Sequence, residues 1–206
     1  MTVFTDYVLA VQGVVLGRRL WRKAQAGDLA RRLWAAMLLA MAVAALAGGT
    51  AHGFADRLSS GSLWMLWRVA VWGVGLASLA IAAAAARFAF SLAVGRVVIV
   101  LFAIQFAVFA IWMVGHDDFS YVILEYLPAM VFVLVVSVWR WLGHGWRGGP
   151  WAVAGILTSF VAAGVQASGF ALHRHFNHND LYHVIQMLGF YLIYRAGDKL
   201  PEKASR

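Results

Sequence analysis

The chain has 206 residues, 63% of them hydrophobic and only 13% charged, with a mean hydropathy of +0.75. A soluble domain is about 45–50% apolar and about 25% charged, so this much apolar surface cannot be hidden in one aqueous core, and the composition reads as an all-α polytopic membrane protein. The net charge of +8 is the lysine and arginine excess of cytoplasmic loops rather than a nucleic-acid footprint, and the absence of cysteine excludes disulfides, thiolate metal sites and a cysteine nucleophile.

In chain order the apolar pattern predicts a seven-helix bundle, each span near the roughly 20 residues that cross the hydrocarbon. The first, 3–21, is the weakest, because Asp6 sits near its start and Arg18 and Arg19 near its end. The second covers 29–54, the third 63–86, the fourth 92–115 and the fifth 119–142. The sixth, 150–172, opens at Pro150 after two glycines, as a helix N-terminus often does. The seventh is 179–195. Runs such as 76–86 and 97–114 do not alternate with period two, which excludes an outer-membrane barrel. The N-terminus lacks the basic stretch of a signal peptide. The loops are too short for a soluble domain, so residues 1–206 read as one transmembrane domain.

Orientation follows from charge. Arg18, Arg19, Arg22, Lys23, Arg31, Arg32, Arg87, Arg96, Arg140, Arg147, Arg195, Lys199, Lys203 and Arg206 fall on one side, and Arg57, Arg68 and Arg174 on the other. The bias places the N-terminus outside and the C-terminus in the cytoplasm, with a bacterial inner membrane as the expected location.

On this topology His52, His116, His173, His175, His178 and His183 gather at the outer side with Asp56, Asp117, Asp118 and Asp180, and only His144 lies inside. His52 and Asp56 are four residues apart and share a face if the second helix continues that far. Asp180 and Asn179 stand three and four residues before His183, again on one face. Imidazoles so spaced suit zinc, with a carboxylate to orient a ligand or take a proton from bound water. Asn179 and Asp180 fit equally as residues capping a helix start. Glu125 lies about two turns into the fifth span, three residues before Pro128, and must face the bundle interior. Arg68 is its expected partner.

The span count, a histidine ending the second span in "GGTAHGFAD" and a histidine opening the seventh in "NDLYHVIQ" together resemble the CREST superfamily of seven-span membrane hydrolases, which includes alkaline ceramidases and the progestin/adiponectin receptors. The resemblance implies hydrolysis of a lipid amide or ester by zinc-bound water. His52 and His183 match two of the family's three zinc histidines. The third would stand at Asn179, with His178 one residue before, and the family's serine at Gly48, with Thr50 the nearest hydroxyl. The resemblance therefore implies a rearranged site. His52, His178 and His183 would hold the metal, Asp56 would orient or deprotonate the water, and Asp180 would support the site or replace His178 as third ligand. Membrane lipids and a lipid-like substrate are the expected partners. The same histidines fit two other classes: a non-catalytic metal-binding or ligand-sensing protein, and a b-type haem electron carrier.

The topology is directly checkable. A reporter fused at residue 206 should be active only when it is of the cytoplasmic-reporting kind. Activity of the opposite kind would reverse the orientation; six spans, without the weak first one, are the alternative to seven.

Overall fold

The computed structural model describes residues 2–173 and 176–201. Arg174, His175, Lys203 and Arg206, named above, lie outside the described residues. Among the described residues there are seven α-helices: α1 (Thr2–Lys23), α2 (Leu29–Gly53), α3 (Ser60–Ala89), α4 (Leu92–Trp112), α5 (Ser120–His144), α6 (Gly149–Ser168) and α7 (His178–Asp198). Five of them, α2 to α6, are long and apolar enough to cross a membrane. α1 and α7 are not among the five, and both bury polar residues: Thr5 and Asp6 on one, Asp180, His183 and Gln186 on the other.

Local chemistry sets the helix ends. Asp28 accepts from Arg31 N–H (3.1 Å), Ser59 from Ser62 N–H (3.2 Å) and Ser91 from Val94 N–H (3.4 Å), each occupying an otherwise orphaned donor. Asp118 accepts from Ser120 N–H (2.8 Å) ahead of α5, a bond that lowers the pKa of this exposed carboxyl. Gly145 and Gly169 take left-handed φ values of 63° and 67°, which a side chain resists. The second of these stops α6 at Ser168, four residues before the expected end at Leu172.

The helices close into a ring. α1 packs on α2 and α7, α2 on α3, α3 on α5, α5 on α6 and α6 on α7. α4 stands outside, against α3 and to a lesser extent α5, and presents Val97, Leu101, Ile104, Val108 and Ile111 outward. Small residues bring the neighbours close, as is common where helices pack in lipid. A Cβ on Gly13 would stand 2.9 Å from Ala42 Cβ, one on Gly73 2.9 Å from Ala44 Cβ, and one on Gly155 2.7 Å from Ile193 Cγ1.

Inside the ring lies a cavity of about 80 Å³. One ordered water requires roughly 10–15 Å³ on this measure, so the space suits several waters or a short alkyl segment. α2, α3, α5, α6 and α7 all line it, mostly with apolar groups such as Met37, Met41, Met130, Ile156 and Phe190. Ser78, Tyr126, Ser159, Tyr182 and Gln186 supply its polar wall, and Gln186 donates to Ser159 (3.0 Å).

The end of the bundle that carries most of the lysines and arginines is tied by the segment after α7. Arg31, 1% exposed, donates to the Leu200 carbonyl and pairs with Asp28 (3.0 Å). Trp146 donates to Lys199 O (3.1 Å) and Trp34 to Ile193 O (2.9 Å).

The expected Arg68–Glu125 pair is not formed. Arg68 bonds Asp117 (2.6 Å) and Val114 O (3.1 Å), and its guanidinium lies over Trp64. Glu125 faces Ser78 instead, ten residues further along α3, or about 15 Å at 1.5 Å per residue. α3 begins farther out than α5, so residue counts from the two helix starts misjudge relative depth. Gln105 of α4 donates to the Glu125 carbonyl (2.6 Å), at the same level.

The close crossing of α6 and α7 is testable. Gly155→Val would drive a side chain into Ile193 and should lower stability by about 1–3 kcal/mol. Gly164→Val, with open space around it, should change little. Thermal unfolding of both variants in detergent makes the comparison.

Candidate functional site

The site grows from the meeting of α1 with α7. α1 can approach because α2 offers glycine where they cross: a Cβ on Gly49 would stand 2.6 Å from Asp6 Cβ, and one on Gly53 would overlap Val3. These glycines belong to the "GGTAHG" stretch that the sequence reading valued for His52. Thr5 and Asp6 are consecutive, yet both are buried, on the face of α1 turned to α7.

The start of α7 is set by a capping box. Asn177 accepts from Asn179 N–H (2.9 Å) and Asp180 N–H (3.2 Å), and Asp180 Oδ2 accepts from Asn177 N–H (2.9 Å). This fixes the phase of the helix from its first residue. Asp180 and His183, three apart, then fall on one buried face. His178 is five residues from His183, about 500° or a net 140° around the helix at 100° per residue, and it is only half-buried.

Four side chains converge. His183 Nε2 lies 3.0 Å from Asp6 Oδ1. His183 Nδ1 lies 3.0 Å from Thr5 Oγ1, which also lies 2.9 Å from Thr2 O and 3.4 Å from Asp180 Oδ1. With Asp6 ionised, Nε2 carries the ring proton and Nδ1 is left as an acceptor toward Thr5, whose single hydroxyl proton then has Nδ1, Thr2 O and Asp180 Oδ1 within reach. Asp6 Oδ2 is buried without a partner. The Tyr182 ring stands 5.1 Å from that of His183, and Tyr182 and Gln186 carry the α7 face down into the central cavity. Beside the cluster, the Tyr7 and Thr50 hydroxyls join α1 to α2 at 3.0 Å.

The other sequence candidates lie around this cluster. His52 is exposed at the end of α2, its ring edge-on to Trp67 at 6.3 Å, and it is an electrostatic neighbour of His183. α2 ends at Gly53, so Asp56 falls on the 3-10 turn Ala55–Arg57, exposed, and does not share a helix face with His52. His116 stacks on Trp112 at the end of α4, and His144 lies at the opposite end of the bundle.

Among the described residues no three His, Asp or Glu side chains form a group spaced to hold a metal ion. The three-histidine zinc set implied by the resemblance does not fit this geometry. His178 points away from the His183 face, His52 rests on Trp67, and both ring nitrogens of His183 are engaged by Asp6 and Thr5. What the side chains do assemble is a hydroxyl, an imidazole and a carboxylate in series, the arrangement in which a base takes a proton from a nucleophile while a third group orients the base.

Thr5 and Asp6 are not among the site residues that the sequence pattern singles out. Their signal was Asp6 itself, an ionisable group inside an apolar span, which is expensive unless it faces a partner or a wet cavity.

The chain belongs to DUF6962, a family of unknown function, whose sequence model matches residues 1–202. Neither a comparison with curated proteins nor one with solved structures finds a match.

The capping box supports the site and should show in stability. Asn177→Ala should cost about 0.5–2 kcal/mol. Asp180→Ala should cost more, because it removes the reciprocal bond to Asn177 and an acceptor facing Thr5 together. Unfolding midpoints of the two variants in the same detergent give the order.

Proposed function

We propose that this chain is a multi-pass membrane hydrolase of lipid esters or amides, working through a Thr5–His183–Asp6 triad. The observation that carries the reading is the pair of 3.0 Å contacts that place His183 between the Thr5 hydroxyl and the Asp6 carboxylate. In this reading α1 and α7 also span, the N-terminus faces outward and the C-terminus the cytoplasm of a bacterial inner membrane. The lysine and arginine bias supports that orientation.

His183 Nδ1 takes the proton of Thr5 as Oγ1 attacks the acyl carbonyl carbon. Asp6 holds the ring in the tautomer that leaves Nδ1 free and stabilises the imidazolium that forms. The imidazolium then returns the proton to the departing alkoxide or amine, leaving an acyl ester on Thr5. Water attacks that ester with His183 again as base, which releases the fatty acid and restores the hydroxyl. Asp180, beside Thr5 and fixed by the α7 cap, keeps the hydroxyl at the junction of α1 and α7. The apolar central cavity suits the acyl chain. The resemblance to seven-span lipid hydrolases supports the substrate class, with a different catalytic group in place of the metal.

The test is hydrolysis of fluorogenic lipid esters and amides by the purified chain. Thr5→Val and His183→Ala should each lower kcat by about 10³-fold or more, and Thr5→Ser should keep turnover. A slow substrate should leave an acyl adduct on Thr5 by mass spectrometry. Thr5→Val with full turnover, or hydrolysis of no lipid ester or amide, would remove the triad. Zinc that copurifies with the chain, is lost in both His52→Ala and His183→Ala and stays in His144→Ala, would return the site to the metal chemistry of the resemblance.

A further inference from the structure

At the opposite end of the bundle, a second cavity of about 160 Å³ opens between the C-terminal turns of α3 and α5, the N-terminus of α2 and the segment after α7. Arg87 and Arg140 line it. Among the described residues neither arginine has a salt bridge, and Arg140 Nε is buried without a hydrogen-bond partner. Arg140 is held in place from below, its guanidinium 4.7 Å from the centre of the Phe88 ring. Among the described residues the one acid lining the cavity is Asp28, which is already committed to Arg31, through its side chain (3.0 Å) and through the backbone N–H it caps (3.1 Å). Ala30 brings the first turn of α2, the positive end of that helix dipole, to the same wall.

Two guanidinium groups that have no carboxylate partner among the described residues, facing a cavity at a helix N-terminus, make a receptor for a multiply charged oxyanion. We propose that this cavity binds a phosphate group through Arg87 and Arg140. Guanidinium matches phosphate geometry with paired N–H donors. The phosphate has two sources, the headgroup of an anionic phospholipid and free inorganic phosphate, and a basic pocket between helices at this end of a membrane protein suits the first. The site is independent of the Thr5–His183–Asp6 cluster, at the other end of the ring.

The experiment uses the purified full chain. Native mass spectrometry would follow retention of phosphatidylglycerol against phosphatidylcholine, and thermal unfolding would follow the response to inorganic phosphate. Wild type should retain phosphatidylglycerol over phosphatidylcholine by about tenfold or more, and R87Q/R140Q should lose that preference. R87K/R140K, which keeps both charges, should retain part of it, and this variant serves if the glutamine pair fails to fold. R18Q/R19Q, which removes two exposed charges from the same end, should keep the preference. A phosphatidylglycerol preference without a phosphate response assigns the site to lipid. A phosphate-induced rise in unfolding temperature that R87Q/R140Q loses assigns it to the free anion as well. The proposal falls if folded R87Q/R140Q retains phosphatidylglycerol as wild type does, if R18Q/R19Q loses as much as R87Q/R140Q, or if wild type neither discriminates the lipids nor responds to phosphate.

Discussion

The contact between Asp6 and His183 joins the first helix of the bundle to the last. In an apolar bundle a buried carboxylate must find its partner within the protein, since neither lipid nor packed alanine can solvate it. α1 alone would leave Asp6 and Thr5 facing apolar surroundings, and α7 alone would do the same to Asp180 and His183. Each helix makes the other tolerable. The α1–α7 seam is therefore closed by polar contacts, while close approach at glycine and alanine brings α1 to α2, α2 to α3 and α6 to α7. This is why the two least apolar helices are neighbours, and of the two only α7 lines the central cavity, with Tyr182 and Gln186.

The two ends of the bundle solve the same problem with different chemistry. At one, side chains satisfy side chains. At the other, Arg31, Trp34 and Trp146 donate into backbone carbonyls at Leu200, Ile193 and Lys199. Arg31 also pairs with Asp28 (3.0 Å), and Lys23 of α1 with Asp198 of α7 (2.7 Å), so charged side chains contribute at this end as well.

Much of the architecture was legible in the pattern of residues. Long apolar runs, with Pro150 at the start of the sixth, place the helices to within a few residues. The pairing of Asp180 with His183 on one face was legible too, because i and i+3 neighbours are a property of any helix. What could not be read was which faces meet. His52 and His183 both stand at the same end, but depth alone does not bring side chains together, and the ring of His52 found Trp67. Asp56 shares a face with His52 only if α2 continues that far, and α2 ends three residues before it. Glu125 was matched to Arg68 by counting from helix starts, an estimate that fails when two helices begin at different heights. Asp6 was noticed only as a blemish on a weak span, although the cost of burying it carried more information than the histidine spacing did.

Closure of the ring by its first and last helices has a consequence for synthesis. A chain made from its N-terminus delivers Thr5 and Asp6 to the membrane long before Asp180 and His183 exist. Until α7 packs against α1, the Asp6 carboxylate has no imidazole beside it, so the series of hydroxyl, imidazole and carboxylate on which the proposed function rests is assembled only when α7 joins the bundle.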